Sequence, residues 1–197
     1  GWDTGNVTDM SNMFFQTGSL NDDISGLDLS SNTSFARFVK ACFEFNQNLG
    51  GWSLNTSEDV SCHEMFMNCI AFNNGGSATI DNGDTSRVTD MNEMFRSCYS
   101  FNQPLNSWDT SNVTDMNQMF RGCSVFNQPL DNWDLSSVIF IGDMFRDTNM
   151  SKANMYTTLL PCSTDPNTPS NLNLGRSPIT FAEGLNDDTV AAILAKN

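Results

Sequence analysis

The chain has 197 residues, with 9 Lys and Arg against 23 Asp and Glu, a formal net charge of −14. So acidic a surface repels the phosphates of nucleic acids and anionic lipids, which leaves basic proteins, neutral glycans or cations as the better partners. The apolar content rests on 15 Phe and 11 Met, which suits a core of long side chains recurring at intervals, and no apolar run is long enough to span a bilayer.

The chain opens on Gly1-Trp2-Asp3 with neither Met nor signal peptide, so a mature or trimmed piece of a longer protein is expected. Residues 2–14 read WDTGNVTDMSNMF, and the string returns as DTSRVTDMNEMF at 84–95 and WDTSNVTDMNQMF at 108–120. A second block follows each copy: FNQNLGGW at 45–52, FNQPLNSW at 101–108 and FNQPLDNW at 126–133. Taking the Trp position as anchor gives Trp2, Leu27, Trp52, Gly83, Trp108 and Trp133, with steps of 25, 25, 31, 25 and 25. The third repeat is the irregular one, carrying extra residues near Asn55–Cys62 and around Asn74–Ile80. A period in the twenties points to a leucine-rich-type solenoid, whose units bury their apolar sides only by stacking.

Within one repeat Met116, Met119, Phe120 and Cys123 fall at i, i+3, i+4 and i+7, the spacing of one face of a short helix. Asp115 and Asp90 then stand at the helix N-cap, with Gln118 and Glu93 three residues on. The FNQPL block reads as a turn and a brief strand pairing in parallel with its neighbours. Each unit is thus expected to be strand, turn, short helix and return, in an α/β solenoid of six repeats over residues 1–149. Residues 150–197 form the expected C-terminal cap: a helix near Ala153–Leu160, a loop at 161–171, a strand near Leu172–Leu174 and a helix at 187–196.

The two blocks resemble those of the BspA-type leucine-rich-repeat surface proteins of bacteria, mycoplasmas and many protists. The resemblance covers residues 1–149, and the tail is similar too, in Tyr156–Leu160, Asn171–Gly175 and the closing Lys196-Asn197. It implies a secreted or surface-displayed protein used in adhesion, host contact or assembly, and it implies no ligand.

Several residues invite a chemical reading. Cys42, Cys69, Cys98 and Cys123 share one repeat position and could form a disulfide or metal ladder, but a small buried residue explains them more simply. Cys62 and Cys162 lie off that ladder. The Asp series (Asp3, Asp28, Asp84, Asp109, Asp134, and Asp9, Asp90, Asp115) could hold calcium, though turn and helix capping accounts for both. No cofactor is expected: His63 is the sole histidine, and no nucleophile elbow, P-loop or HExxH motif is present.

Asn32, Asn55 and Asn149 are the sequons expected to carry glycans if the protein is glycosylated. Arg96, Arg121 and Arg146 follow the Phe of each MF pair and make a basic stripe, paired at i,i+3 with residues such as Glu93 and Asp143. That stripe and the insertion residues Asn74, Gly75 and Gly76 are the candidate partner-binding residues, and deleting 74–80 should weaken binding while sparing the fold. The sequence therefore leads to a non-enzymatic, extracellular structural or adhesion module that binds other proteins or further copies of itself. The alternative is a glycan- or calcium-dependent carbohydrate binder using Trp52, Trp108 and Trp133.

Overall fold

The structure, a computed structural model, describes residues 2–164. Its named strands are short: β1 (Val60–Ser61) and β2 (Val88–Asp90), paired in parallel with a register irregularity. Single parallel bridges carry the pairing onward, Asp9 to Ser34, Ser34 to Ser61, Asp90 to Asp115 and Asp115 to Phe140. One residue from each of six successive repeats thus lies in a single column. The pairing falls on the V-T-D segment, not on FNQPL as the sequence suggested. Pro104 and Pro129 have no N–H to give a ladder, and FNQ joins its neighbours mainly through side-chain amides.

The segment from Met116 to Cys123 is a run of tight turns, not the expected helix. The N–H groups of Met116, Gln118, Phe120 and Gly122 donate to carbonyls of the next repeat, at Phe140, Gly142, Met144 and Arg146, over 2.7, 2.8, 3.1 and 2.8 Å. Those of Met119, Arg121 and Cys123 turn back instead to Met116, Gln118 and Phe120. The alternation needs two left-handed residues four apart, here Gln118 at φ 52° and Gly122 at 78°. Every repeat has such a pair, among them Asn12 and Gln16, Arg37 and Ala41, and Glu93 and Ser97. A helix would send each N–H four residues back and leave none to join the repeats. Here the amides that hold the stack together are the ones a helix would have used internally.

The apolar spacing still describes what is buried, since Met116, Met119, Phe120 and Cys123 are all fully enclosed. Two columns of Phe run along the stack. In one, Phe66, Phe95, Phe120 and Phe145 follow at ring separations of 5.4, 5.8 and 6.0 Å. In the other, Phe45, Phe72, Phe101 and Phe126 follow at 5.7, 5.8 and 6.0 Å. The columns touch within each repeat, as where Phe120 lies 4.2 Å from Phe126 with nearly parallel planes. Offset stacking of this kind adds roughly 0.5–1.5 kcal/mol per pair beyond area burial.

The third repeat's insertion forms two short 3₁₀ segments, Asn74–Gly76 and Ala78–Asn82. The expected first tail helix is present as α1 (Lys152–Thr164), which runs past Pro161 into the region expected to be loop. It buries Met155, Thr158 and Leu159. The loop beyond 164, the strand at 172–174 and the helix at 187–196 lie outside the described residues.

Candidate interaction surface

Side chains at five recurring positions join one repeat to another or close a turn. The Asp residues work locally: Asp9, Asp28, Asp84, Asp109 and Asp134 each accept the backbone N–H of the Ser two residues on. Asp90 and Asp115 do the same for Asn92 and Asn117, so they cap turns and not the helices expected after them. The Ser hydroxyl, and after it the Ser N–H, hold the carboxyls of Asp9, Asp28, Asp84 and Asp109 below the ordinary 3.8. Among the described residues no three His, Cys, Asp or Glu side chains are gathered as for a metal.

The FNQ asparagines form a chain of amides. Asn21, Asn46, Asn73 and Asn102 each accept, on Oδ1, the N–H of the next repeat's Asn, the distances being 2.8–2.9 Å. Asn127 ends the row by accepting from Ser151 and Asn154 at the start of α1. The Trp rings are structural: Trp52, Trp108 and Trp133 send Nε1 to the carbonyls of Ile24, Ile80 and Leu105. Trp108 and Trp133 are buried, so neither is available to stack on a sugar.

The four ladder cysteines are free and buried. Each thiol donates to a carbonyl of the preceding repeat, from Cys42, Cys69, Cys98 and Cys123 to Phe14, Val39, Phe66 and Phe95, over 2.9–3.0 Å. Burial pushes the Cys42 thiol up to about 11 and that of Cys123 to about 12. Cys62 is also free and buried, and its thiol is pushed up to about 12 by burial and by Asp90. The side chain of Cys162 lies outside the described residues.

The predicted partner residues are not all at the surface. Arg96 pairs with Glu93 at 2.7 Å and Arg146 with Asp143 at 3.5 Å, while Arg121 bonds Gln118 Oε1. The stripe therefore exists, with the charges of Arg96 and Arg146 answered at i,i+3 and Arg121 held by a neutral amide. Gly75 and Gly76 are exposed and left-handed. Asn74 is not on the surface at all: it is fully buried, accepting the Leu49 N–H and donating to Ser77 O. Removing 74–80 would strip the fold of those bonds, so the deletion cannot separate binding from folding. Asn32 and Asn55 are also buried, Asn32 donating to Ser34 O and Asn55 accepting from Ser57 and Glu58, which leaves no room for a glycan on either. Asn149 is exposed.

A different column was missed. Phe43, Ile70 and Tyr99 each directly follow a ladder Cys and are 49, 40 and 51 % exposed, while Ser124 holds the same position after Cys123. The signal was present in the Cys-Phe, Cys-Ile and Cys-Tyr dipeptides, which place three large apolar residues just past a buried position.

The sequence profile of a family described as "Mycoplasma protein of unknown function, DUF285" matches residues 1–79 and again residues 76–158. No curated protein and no solved structure matches the chain.

Proposed function

The chain belongs to the DUF285 family, and we propose that it is a non-enzymatic surface module of BspA-like, leucine-rich-type solenoid architecture that adheres to other proteins through its flank. The carrying observation is the exposed column of Phe43, Ile70 and Tyr99, three large apolar side chains at one repeat position that stand about half in water. Monomeric proteins rarely leave aligned large apolar residues in water without a partner for them. Arg96 and Lys40, in a neighbouring repeat position, supply a polar rim of the kind protein interfaces have. Its resemblance to surface-displayed repeat proteins supports a position outside the cell. No helix among the described residues is long and apolar enough to cross a membrane.

The test compares beads coated with the chain and with a Phe43→Ser, Tyr99→Ser double variant for adherence to cultured host-cell monolayers. Two interface anchors of this size carry enough energy for a roughly tenfold loss of adherence. The melting temperature should fall only slightly, because both side chains are about half exposed. Equal adherence of the two proteins, or wild-type adherence no better than that of albumin-coated beads, would overturn the reading.

A further inference from the structure

The Trp position is filled in an orderly way wherever an indole is present and a repeat precedes it. Trp52, Trp108 and Trp133 each donate Nε1 to the carbonyl of the residue three before the preceding repeat's Trp position: Ile24 at 3.3 Å, Ile80 at 3.0 Å and Leu105 at 2.8 Å. Each ring also lies against a Phe of the preceding repeat, Phe38, Phe95 and Phe120, at 5.8, 6.1 and 6.1 Å. In the fourth repeat the position belongs to Gly83. By the same rule an indole there would donate to the carbonyl of Leu49 and lie against Phe66.

Both of those groups are in place. The Leu49 carbonyl accepts the Trp52 N–H at 3.0 Å, as its counterpart at Leu105 accepts that of Trp108, but among the described residues no indole reaches it. Phe66 lines a cavity of ≈ 60 Å³ together with Trp52, Leu54, Met65, Ile80 and Trp108. The cavity reaches the surface beside Gly83: Trp52 and Leu54 are half-buried, whereas Trp108, Trp133, Leu29 and Leu135 at the corresponding positions are enclosed. A space with so apolar a lining favours a ring over water.

We propose that this cavity is a binding site for an indole-type ring, a flat apolar heterocycle with one N–H aimed at the Leu49 carbonyl. Recognition combines a tilted ring contact with Phe66 and a single hydrogen bond, the pair of contacts that Trp108 and Trp133 make with the repeats before them. The site stands apart from the exposed column of Phe43, Ile70 and Tyr99, so it holds or fails independently of the adhesive reading.

Gly83 itself supplies the control. Its backbone is extended, at φ −71° and ψ 140°, and an added Cβ would meet only the Ile80 carbonyl at 3.8 Å. Gly83→Trp should therefore occupy the cavity from within, raise the melting temperature and abolish binding, and Gly83→Ala should keep it. Gly83→Leu is the second blocking variant, since Leu27 holds the same position in the second repeat.

The experiment is a calorimetric titration of the whole chain with indole, with indene, which lacks the N–H, and with N-acetyltryptophanamide. One saturable site for indole is expected, weakened about fivefold for indene, as the loss of one neutral hydrogen bond implies. Binding of N-acetyltryptophanamide as tight as that of indole assigns the ring to a partner's side chain, and binding of indole alone assigns it to a free small molecule; both support the site. No saturable binding, equal affinity for indene, or undiminished binding in the folded Gly83→Trp or Gly83→Leu protein overturns it.

Discussion

The ladder cysteines show how one side chain solves a problem created by the stack. Where a carbonyl of the preceding repeat faces the interior, a thiol is small enough to fit and polar enough to donate, and Cys69, Cys98 and Cys123 do so while fully buried. The same burial disfavours the thiolate, so the folded chain holds its thiols protonated well above their ordinary 9.0. Unfolded thiols ionise near that ordinary value while folded ones wait until about 11 for Cys42 and about 12 for Cys62 and Cys123. The stability linked to them is therefore complete below pH 9 and is lost as pH rises from 9 towards 12. Melting curves across that interval should show a falling midpoint, and replacing Cys98 and Cys123 by Ala should flatten the fall while lowering the neutral-pH value. A thiol reagent at pH 8 should label the native chain much more slowly than the chain in denaturant. Fast native labelling would show the ladder to be open.

The turn ladder is the element that sequence patterns describe least well. Apolar spacing identified the buried side chains of residues 116–123 correctly, but it is blind to backbone handedness, and the left-handed residues at Gln118 and Gly122 turn the segment from a helix into a run of turns. No residue type marks these positions: they are Asn, Arg, Glu, Gln or Asp at one and Gln, Ala, Asn, Ser, Gly or Asp at the other. The FNQ block was likewise legible as a recurring unit, though its asparagines carry much of the link expected of a strand. Gly122, at φ 78°, is the one ladder position that already has the residue suited to it. Gly122→Ala should cost roughly 1 kcal/mol, since Ala pays the left-handed penalty that Gly avoids. Ala41→Gly, at φ 60°, should be neutral or stabilising by up to about 1 kcal/mol, a change that would be destabilising in any real helix. Urea denaturation distinguishes the two backbones directly. For the amide row, Asn102→Ala should cost roughly 1–3 kcal/mol by orphaning the Asn127 N–H inside the stack, and Asn21→Ala at the exposed first rung clearly less.

At the scale of the whole molecule, the verbatim recurrence of WDTSNVTDM and FNQPL made the order of the repeats readable from the sequence, because every repeat solves the same packing problem. What could not be read was where that solution lapses. Gly83 stood in the Trp column as a mere mismatch until the neighbouring indoles showed which carbonyl and which ring no indole reaches among the described residues. Charge follows the same repetition. Asp28, Asp84, Asp109 and Asp134 are exposed at one repeat position, and in a parallel pairing successive rungs stand only about 5 Å apart. Asp109 already acts on Asp84 across that gap, opposing the drop in its pKa. On a chain of net charge −14 the neighbouring rungs Asp84, Asp109 and Asp134 repel one another, while ion pairs as exposed as Arg87–Asp59 are individually worth little. Raising NaCl from about 10 to 300 mM shortens the Debye length from roughly 30 Å to less than 8 Å. Repulsion is the term relieved, so the melting temperature should rise, by a few degrees if screening recovers about 1–2 kcal/mol. Calcium at matched ionic strength should add nothing further, because each Asp is held by its own turn rather than turned towards a shared ion. A melting temperature that falls with NaCl would mean that the scattered ion pairs outweigh the acidic columns, and an extra rise with calcium would mean that the columns gather a cation after all.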